Sequence, residues 1–258
     1  MMLLARALSA EVLKLRRTIA LKMVLLAPIA VVLLTLFMAS QAPFSTLRRG
    51  NTVVDPWRAL SRVNLQFWGL LMLPLCVTLQ TALVAGVDHE GNQWKALFAR
   101  PVPRWTAYVS KLLVVLALAA ASGLVLVAGV LAEGRFLNSF DPALGFAAPA
   151  PIGLIASQAA RMTSLAFLFL TIQHWVSLRW RSFSVSVGFG IVTIVASFAM
   201  LLAAGQHGAW PQYFPWSLPM LVVARQPQDV GVVLWLGGLA GLFVSALGCA
   251  DFCRREIN

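Results

Sequence analysis

DHEGNQWKALFARPVPRWTAYVSK, residues 88–111, is the longest interruption between two apolar runs that carries both signs of charge and closely spaced tryptophans. Gly91 to Ala99 reads as a short amphipathic helix with Trp94, Leu97 and Phe98 on one side and Lys95 nearby. Pro101 and Pro103 then fix two backbone dihedrals and restrict the residues before them, which makes a stiff stop. From Arg104 the chain climbs into the next apolar run. Segments on both sides are too long and too apolar for loops of a soluble fold, so the reading of the whole chain turns on what surrounds this stretch.

The chain has 258 residues, 60% hydrophobic and 11% charged, with a mean hydropathy of +0.82. A soluble domain carries about 25% charged residues, so the composition is that of an integral membrane protein. The formal charge of +11 fits basic residues flanking membrane spans and facing anionic headgroups. No basic tract has the length or aromatic interleaving that would favour nucleic acid. Cys76, Cys249 and Cys253 give no disulfide framework and read as small residues on helix faces.

Six runs approach the ~20 apolar residues that a bilayer core requires: Met23–Ser40, Leu65–Val87, Ala107–Ala132, Ile152–Leu178, Phe183–Ala204 and Val230–Ala250. Barrel-type alternation is absent, and helices satisfy their own backbone in lipid. The expected fold is therefore an all-α membrane protein: one transmembrane domain over residues 1–258, with six transmembrane helices in a bundle over residues 23–250 and a short cytoplasmic tail at 251–258. Before the first span, Leu4, Leu8, Val12, Leu15 and Ile19 recur at helical spacing with Arg6, Glu11, Lys14, Arg16 and Arg17 on the other side. That pattern predicts an amphipathic helix over residues 1–22 lying in the headgroup plane, an uncleaved anchor. With both termini on the cytoplasmic side, Lys and Arg favour the inner connections by about two to one. The four arginines of the first outer loop (Arg48, Arg49, Arg58, Arg62) run against that bias.

The connections differ in character. Gln41–Asn64 could form an interfacial segment around Trp57 and Trp68, and Glu133–Pro151 reads as irregular. Trp180-Arg181-Ser182 is a minimal hairpin that would set spans four and five side by side. Trp210 to Met220 mixes aromatics with Pro211, Pro215 and Pro219, which suits either a segment dipping back into the outer leaflet or an ordinary aromatic-belt loop. Pro28 and Pro74 are expected to kink spans one and two. Gly237, Gly241 and Ser245 form a small-residue stripe that serves close packing within the chain or between copies.

Catalytic motifs are missing. There is no G-x-x-x-x-G-K-[ST] phosphate loop, no H-E-x-x-H and no G-x-S-x-G, and His89, His174 and His207 are too scattered to share a metal. The reading is a non-catalytic membrane protein with no cofactor of its own. Arg161 is the one charge apparently inside a span, a candidate for function or for snorkelling to the headgroups. With Gln80 and Gln158 it makes a candidate intramembrane polar site, although such glutamines also bond helix to helix. The 88–111 stretch remains, as a stiff lever onto a soluble partner or as a helix lying passively on lipid.

Three stretches resemble a known family. EGNQWKALFARPVPR at Glu90 to Arg104, AEVLKLRR at Ala10 to Arg17 and IQHWVSLRWRSF at Ile172 to Phe183 are similar to the inner loop, entry helix and hairpin of ABC-2-type exporter permeases, nearest to the small lantibiotic and bacitracin immunity permeases. The resemblance implies a permease of the bacterial cytoplasmic membrane that works with a separate ATPase subunit, where ATP and Mg²⁺ would bind, and with a second permease copy or paralogue. It implies a coupling helix in which Glu90, Trp94, Lys95, Leu97, Pro101 and Arg104 face the ATPase, together with Glu11 and Lys14 of the entry helix. It implies export of a peptide, antibiotic or lipid-like amphiphile, and it places a re-entrant element at Trp210 to Met220. Other classes compete with it. A membrane anchor or assembly factor could recruit a partner through the same loop, whereas an ion-coupled transporter would want a buried acid and internal repeats, and neither is evident.

Overall fold

The computed structural model describes residues 2–16, 18–41, 55–89, 103–204, 213–224 and 230–254, and the described chain is helical. In order, the helices are α1 (Met2–Leu15), α2 (Ile19–Gln41), α3 (Pro56–Phe67), α4 (Leu73–His89), α5 (Arg104–Phe140), α6 (Ile152–Arg179), α7 (Phe183–Ala204), α8 (Leu218–Ala224) and α9 (Val230–Arg254). Five stretches are long and apolar enough to cross a membrane: Ile19–Gln41, Pro56–His89, Arg104–Phe140, Ile152–Arg179 and Phe183–Ala203.

Helix α6 is the hub, packed against α9, α5, α4 and α8. Its Ile155, Met162, Ala166, Phe169 and Leu170 are wholly or almost wholly buried. Outward faces of the other helices are apolar and exposed, with Leu25, Leu33 and Phe37 on α2, Val192 and Val195 on α7, and Leu239 and Phe243 on α9. A surface of that kind is dissolved by lipid and not by water.

Three boundaries differ from the expectation. The first outer loop is not a loop from residue 55 onward. Asp55 caps α3 by accepting a hydrogen bond from the Trp57 N–H at 3.0 Å, and Pro56 opens the helix where its missing N–H costs nothing. α3 then runs through a π-helical turn, Trp68–Met72, into α4. The Leu73 N–H donates to Trp68 C=O, five residues back. This wide turn sits just before Pro74, where a regular ladder would lose a bond and meet the proline ring.

The second difference is in α5, which does not stop at Ala132 but continues to Phe140. Glu133, expected to open an irregular outer loop, is a helical residue with 3% exposure. Irregular chain begins only at Asp141. There Gly145 takes a φ of +83°, a conformation that favours glycine, and the turn brings Phe146 against Trp57 with ring centroids 5.2 Å apart.

The third is the entry segment. It breaks between Leu15 and Ile19, and the side of α1 that packs on α5 carries Glu11 and Leu15, while Val12 and Leu13 are exposed. The expected hairpin at Trp180–Ser182 is present. Across it Gln173 Nε2 donates to Ser186 O at 2.9 Å, and the Ser177 and Ser186 hydroxyls meet at 2.6 Å. Beyond the hairpin α7 packs mainly on α4, where Gly190 lies so close to Thr78 that a methyl group would not fit. In the stripe on α9, Gly241 seats the Phe167 ring and Gly237 lies against Leu165 and Leu218, so these positions pack within this chain; further along, Gly248 lies against Tyr108 and Trp175. Of the segment Trp210 to Met220, the described part folds as a 3-10 turn, Pro215–Ser217, and the start of α8, with Trp216 buried between Phe169 and Phe189.

Candidate functional site

At the end of the bundle where α4 stops and α5 starts, four charged side chains from three helices close into a ring. Glu11 and Lys14 are one helical turn apart on α1, Asp88 is in the last turn of α4, and Lys111 is two turns into α5. Lys14 Nζ donates to Glu11 Oε1 at 3.0 Å and to Asp88 Oδ1 at 2.8 Å. Lys111 Nζ donates to Glu11 Oε2 at 2.7 Å, pairs with Asp88 Oδ2, and reaches Val84 O at 3.4 Å. Every carboxylate oxygen thus meets an ammonium, and the charges alternate around the ring to a net of zero.

Such a ring is a device for position more than for stability. Lys111 has no exposed surface and Glu11 and Asp88 keep 6% and 2%. Lys14 is partly exposed, but burying the other three ions costs several kcal/mol each unless the geometry is excellent, and removing one leaves its partners uncompensated. Around Lys14, burial works against the ammonium. The hydrogen bond to Asp88 and the charges of Glu11 and Asp88 outweigh it and raise its pKa above the usual lysine value.

The ring sits at the roots of the 88–111 stretch, and both roots are held by further contacts. His89 Nε2 lies 3.1 Å from Ser177 O of α6. Arg104 Nη1 donates to Cys253 O at the end of α9, at 3.1 Å. Beside them Tyr108 meets His174 edge-on at 4.8 Å, and Trp175 Nε1 donates to Asp251 Oδ2 at 3.0 Å. One end of the bundle is therefore cross-linked by polar contacts from α1, α4, α5, α6 and α9.

Of the residues singled out from the sequence, Glu11 and Lys14 join this ring and Arg104 lies beside it. Glu90, Trp94, Lys95, Leu97 and Pro101 lie outside the described residues. Arg161 is exposed on α6, Gln158 is half-buried, and Gln80 is wholly buried in α4 with no hydrogen-bond partner for its amide. Lys111 and Asp88 carry more of the ring than the sequence suggested. Both read as basic and acidic edges of a polar connection; the signal for Lys111 is its position one turn inside the run Ala107–Ala132, where an unpaired charge is costly, whereas Asp88 directly follows Val87 and carried no such signal.

A second feature lies further along the bundle. A groove of about 580 Å³ opens between α5, α6 and α9, lined by Leu116, Ala120, Gly123, Val127, Ala159 and Phe167 among others. Its few polar atoms include the hydroxyls of Thr163 and Ser164, which bond their own helix backbone. It offers shape and apolar surface without fixed charge, and its volume is in the ~300–1,000 Å³ range of small-molecule sites.

Residues 7–197 match the family model described as ABC-2 family transporter protein. No curated protein matches the chain.

Proposed function

This chain belongs to the ABC-2 family of transporter proteins, and from that premise we propose that it is the membrane-spanning permease of an ATP-driven exporter. It is a multi-pass membrane protein with no catalytic role of its own in this reading. α9, 25 residues long, is the sixth span; α1 is the entry helix at the cytoplasmic surface; both termini are cytoplasmic. A separate ATPase subunit binds ATP and Mg²⁺, and two permease copies, identical or paralogous, complete the exporter.

One observation carries the reading: Glu11 and Lys14 of α1 are locked by ion pairs to Asp88 and Lys111. The entry helix and both roots of the 90–102 connection thereby move as one piece. A partner that pushes on that connection, through Glu90, Trp94, Lys95, Leu97 and Pro101, would move α4 and α5 together instead of flexing a loop. The apolar groove between α5, α6 and α9 supports an amphiphilic cargo held by shape and not by charge. Lantibiotic- or bacitracin-type peptides are the class nearest the family resemblance.

The test is co-purification of the tagged full-length chain from its native membranes with a P-loop ATPase identified by mass spectrometry. Trp94→Ala and Lys95→Glu should each release the ATPase and abolish ATP-dependent export. Export and complex formation that survive both changes would sink the docking role. A bound partner whose ATP turnover never responds to amphiphiles would favour the recruiting anchor instead.

A further inference from the structure

Glu133 is buried about 22 residues along α5 from Lys111, roughly 33 Å at 1.5 Å per residue, close to the thickness of a bilayer core. It therefore marks the opposite end of the bundle from the ion ring. Two polar side chains from two other helices close on it. Thr35 Oγ1 of α2 lies 2.9 Å from Glu133 Oε1 and 3.2 Å from Asn64 Oδ1. Asn64 Nδ2 of α3 donates to Glu133 Oε2 at 2.8 Å and to Leu60 O at 3.2 Å. Thr35, Asn64 and Glu133 keep 1%, 0% and 3% exposure.

Counting hydrogens shows what this trio lacks. Thr35 has one hydroxyl hydrogen, which also lies within reach of Val31 O and Val32 O of its own helix at 3.1 and 3.0 Å, so any bond made there leaves still less for Glu133 and Asn64; both amide hydrogens of Asn64 are used. If Glu133 is ionised, that hydroxyl serves its carboxylate, and Asn64 Oδ1 faces a lone pair with no donor. Turning the Asn64 amide over only moves the conflict, since Oδ1 would then face both Glu133 Oε2 and Leu60 O. With one proton on Glu133 Oε1 every group is satisfied. The acid donates to Thr35 Oγ1, Thr35 donates to Asn64 Oδ1, and Asn64 donates to Glu133 Oε2, closing a ring.

The missing positive charge does not come from the surroundings described. On the elements packed here, Arg58 and Arg62 of α3 and Arg135 of α5 are exposed, and Arg58 pairs with Asp55 at 3.4 Å. α2 carries no charge at this end, and Arg48 and Arg49 lie outside the described residues.

We propose that Glu133 is a proton-binding site: held as the neutral acid, it clasps α2, α3 and α5 together at the end of the bundle opposite the ion ring, and loss of its proton releases the clasp. This does not depend on the docking of an ATPase. It makes the opening of that end sensitive to the proton concentration its own compartment supplies.

The experiment is infrared spectroscopy of the purified full-length chain in lipid at neutral pH, wild type against Glu133→Gln. Gln reproduces the ring, with its amide donating to Thr35, so the variant should fold and melt as the wild type does. The difference spectrum should show loss of one protonated-carboxyl band that shifts when Thr35→Val removes the hydroxyl. Below the alkaline range in which Lys14 loses its proton, the wild-type melting temperature should fall as pH rises, and in Glu133→Gln that fall should disappear. A difference spectrum showing an ionised carboxylate, or a band abolished by adding Na⁺ at constant pH, would overturn the proposal in favour of an ion pair or a cation site. Should Glu133→Gln not accumulate, the wild-type band and its response to Thr35→Val decide alone.

Discussion

Lys111 Nζ sits 2.7 Å from Glu11 Oε2, across 100 residues of chain, and neither side chain has more than 8% of its surface exposed. The contact joins α1 to α5 at a buried point, so each partner depends on the other.

Replacing Lys111 with Met should therefore be severe. It strands the Glu11 and Asp88 carboxylates, and breaking a buried pair in this way costs about 3–5 kcal/mol. Thermal unfolding of the purified chain would register the loss. Adding Lys14→Met, Glu11→Gln and Asp88→Asn to Lys111→Met should recover most of it, because a fully neutral site has no stranded charge. A quadruple variant no more stable than Lys111→Met would show that the loss is one of shape and not of stranded charge.

Lys14 gives the ring a pH limit. Its folded pKa is raised above the ordinary 10.5, so its contribution is fully present below that value and fades as pH rises through the raised one. Attachment of α1, followed by proteolysis at its exposed residues, should hold to pH 10 or so and then weaken. In Lys14→Met the alkaline loss should be absent, with α1 more susceptible to protease at every pH.

Gly190→Ala should destabilise the protein, against the trend for a helix interior, where Ala gains about 1 kcal/mol over Gly. The added methyl would run into Thr78. Gly188→Ala, two residues away with open space around it, should instead be neutral or stabilising. Melting temperatures that move in the same direction for both would contradict the close approach of α4 and α7.

Filling the groove tests its role without touching the core. Ala160 lines it and is exposed, so Ala160→Phe should leave the melting temperature within a degree or two. Efflux of a fluorescent amphiphile from vesicles containing the complete exporter should fall at least about tenfold if the groove holds cargo; 1.4 kcal/mol of lost binding is enough for that. Unchanged efflux would place the cargo elsewhere.

Hydropathy located the five stretches among the described residues that are long and apolar enough to cross a membrane, and α7 begins and ends at the residues expected, Phe183 and Ala204. It succeeded there because an apolar run bounded by a three-residue hairpin leaves little freedom. Charge was the misleading signal. Glu133 read as the end of a span because an acid in lipid is costly, and the side chains that make it tolerable, Thr35 and Asn64, are 98 and 69 residues away. Arg58 and Arg62 made α3 look like a loop, yet they lie on its exposed side while Trp57, Leu60 and Asn64 are buried. Lys111 and Asp88 were read as edges for the same reason. Family resemblance singled out Glu11 and Lys14 as residues facing a partner, and gave no sign of the ion pairs they make with Asp88 and Lys111.

The π turn at Trp68–Met72 has a consequence for timing around the rod from Pro56 to His89. One residue more than the α register turns everything ahead of it by about 100° relative to everything behind. Asn64 and Asp88 thus belong to a single rod whose two halves are clocked separately, one toward Glu133 and the other toward Lys111. Dropping one residue from that turn would swing Asn64 off its acid while leaving Asp88 in place. The rod is in effect a keyed shaft, and the key is a single amino acid.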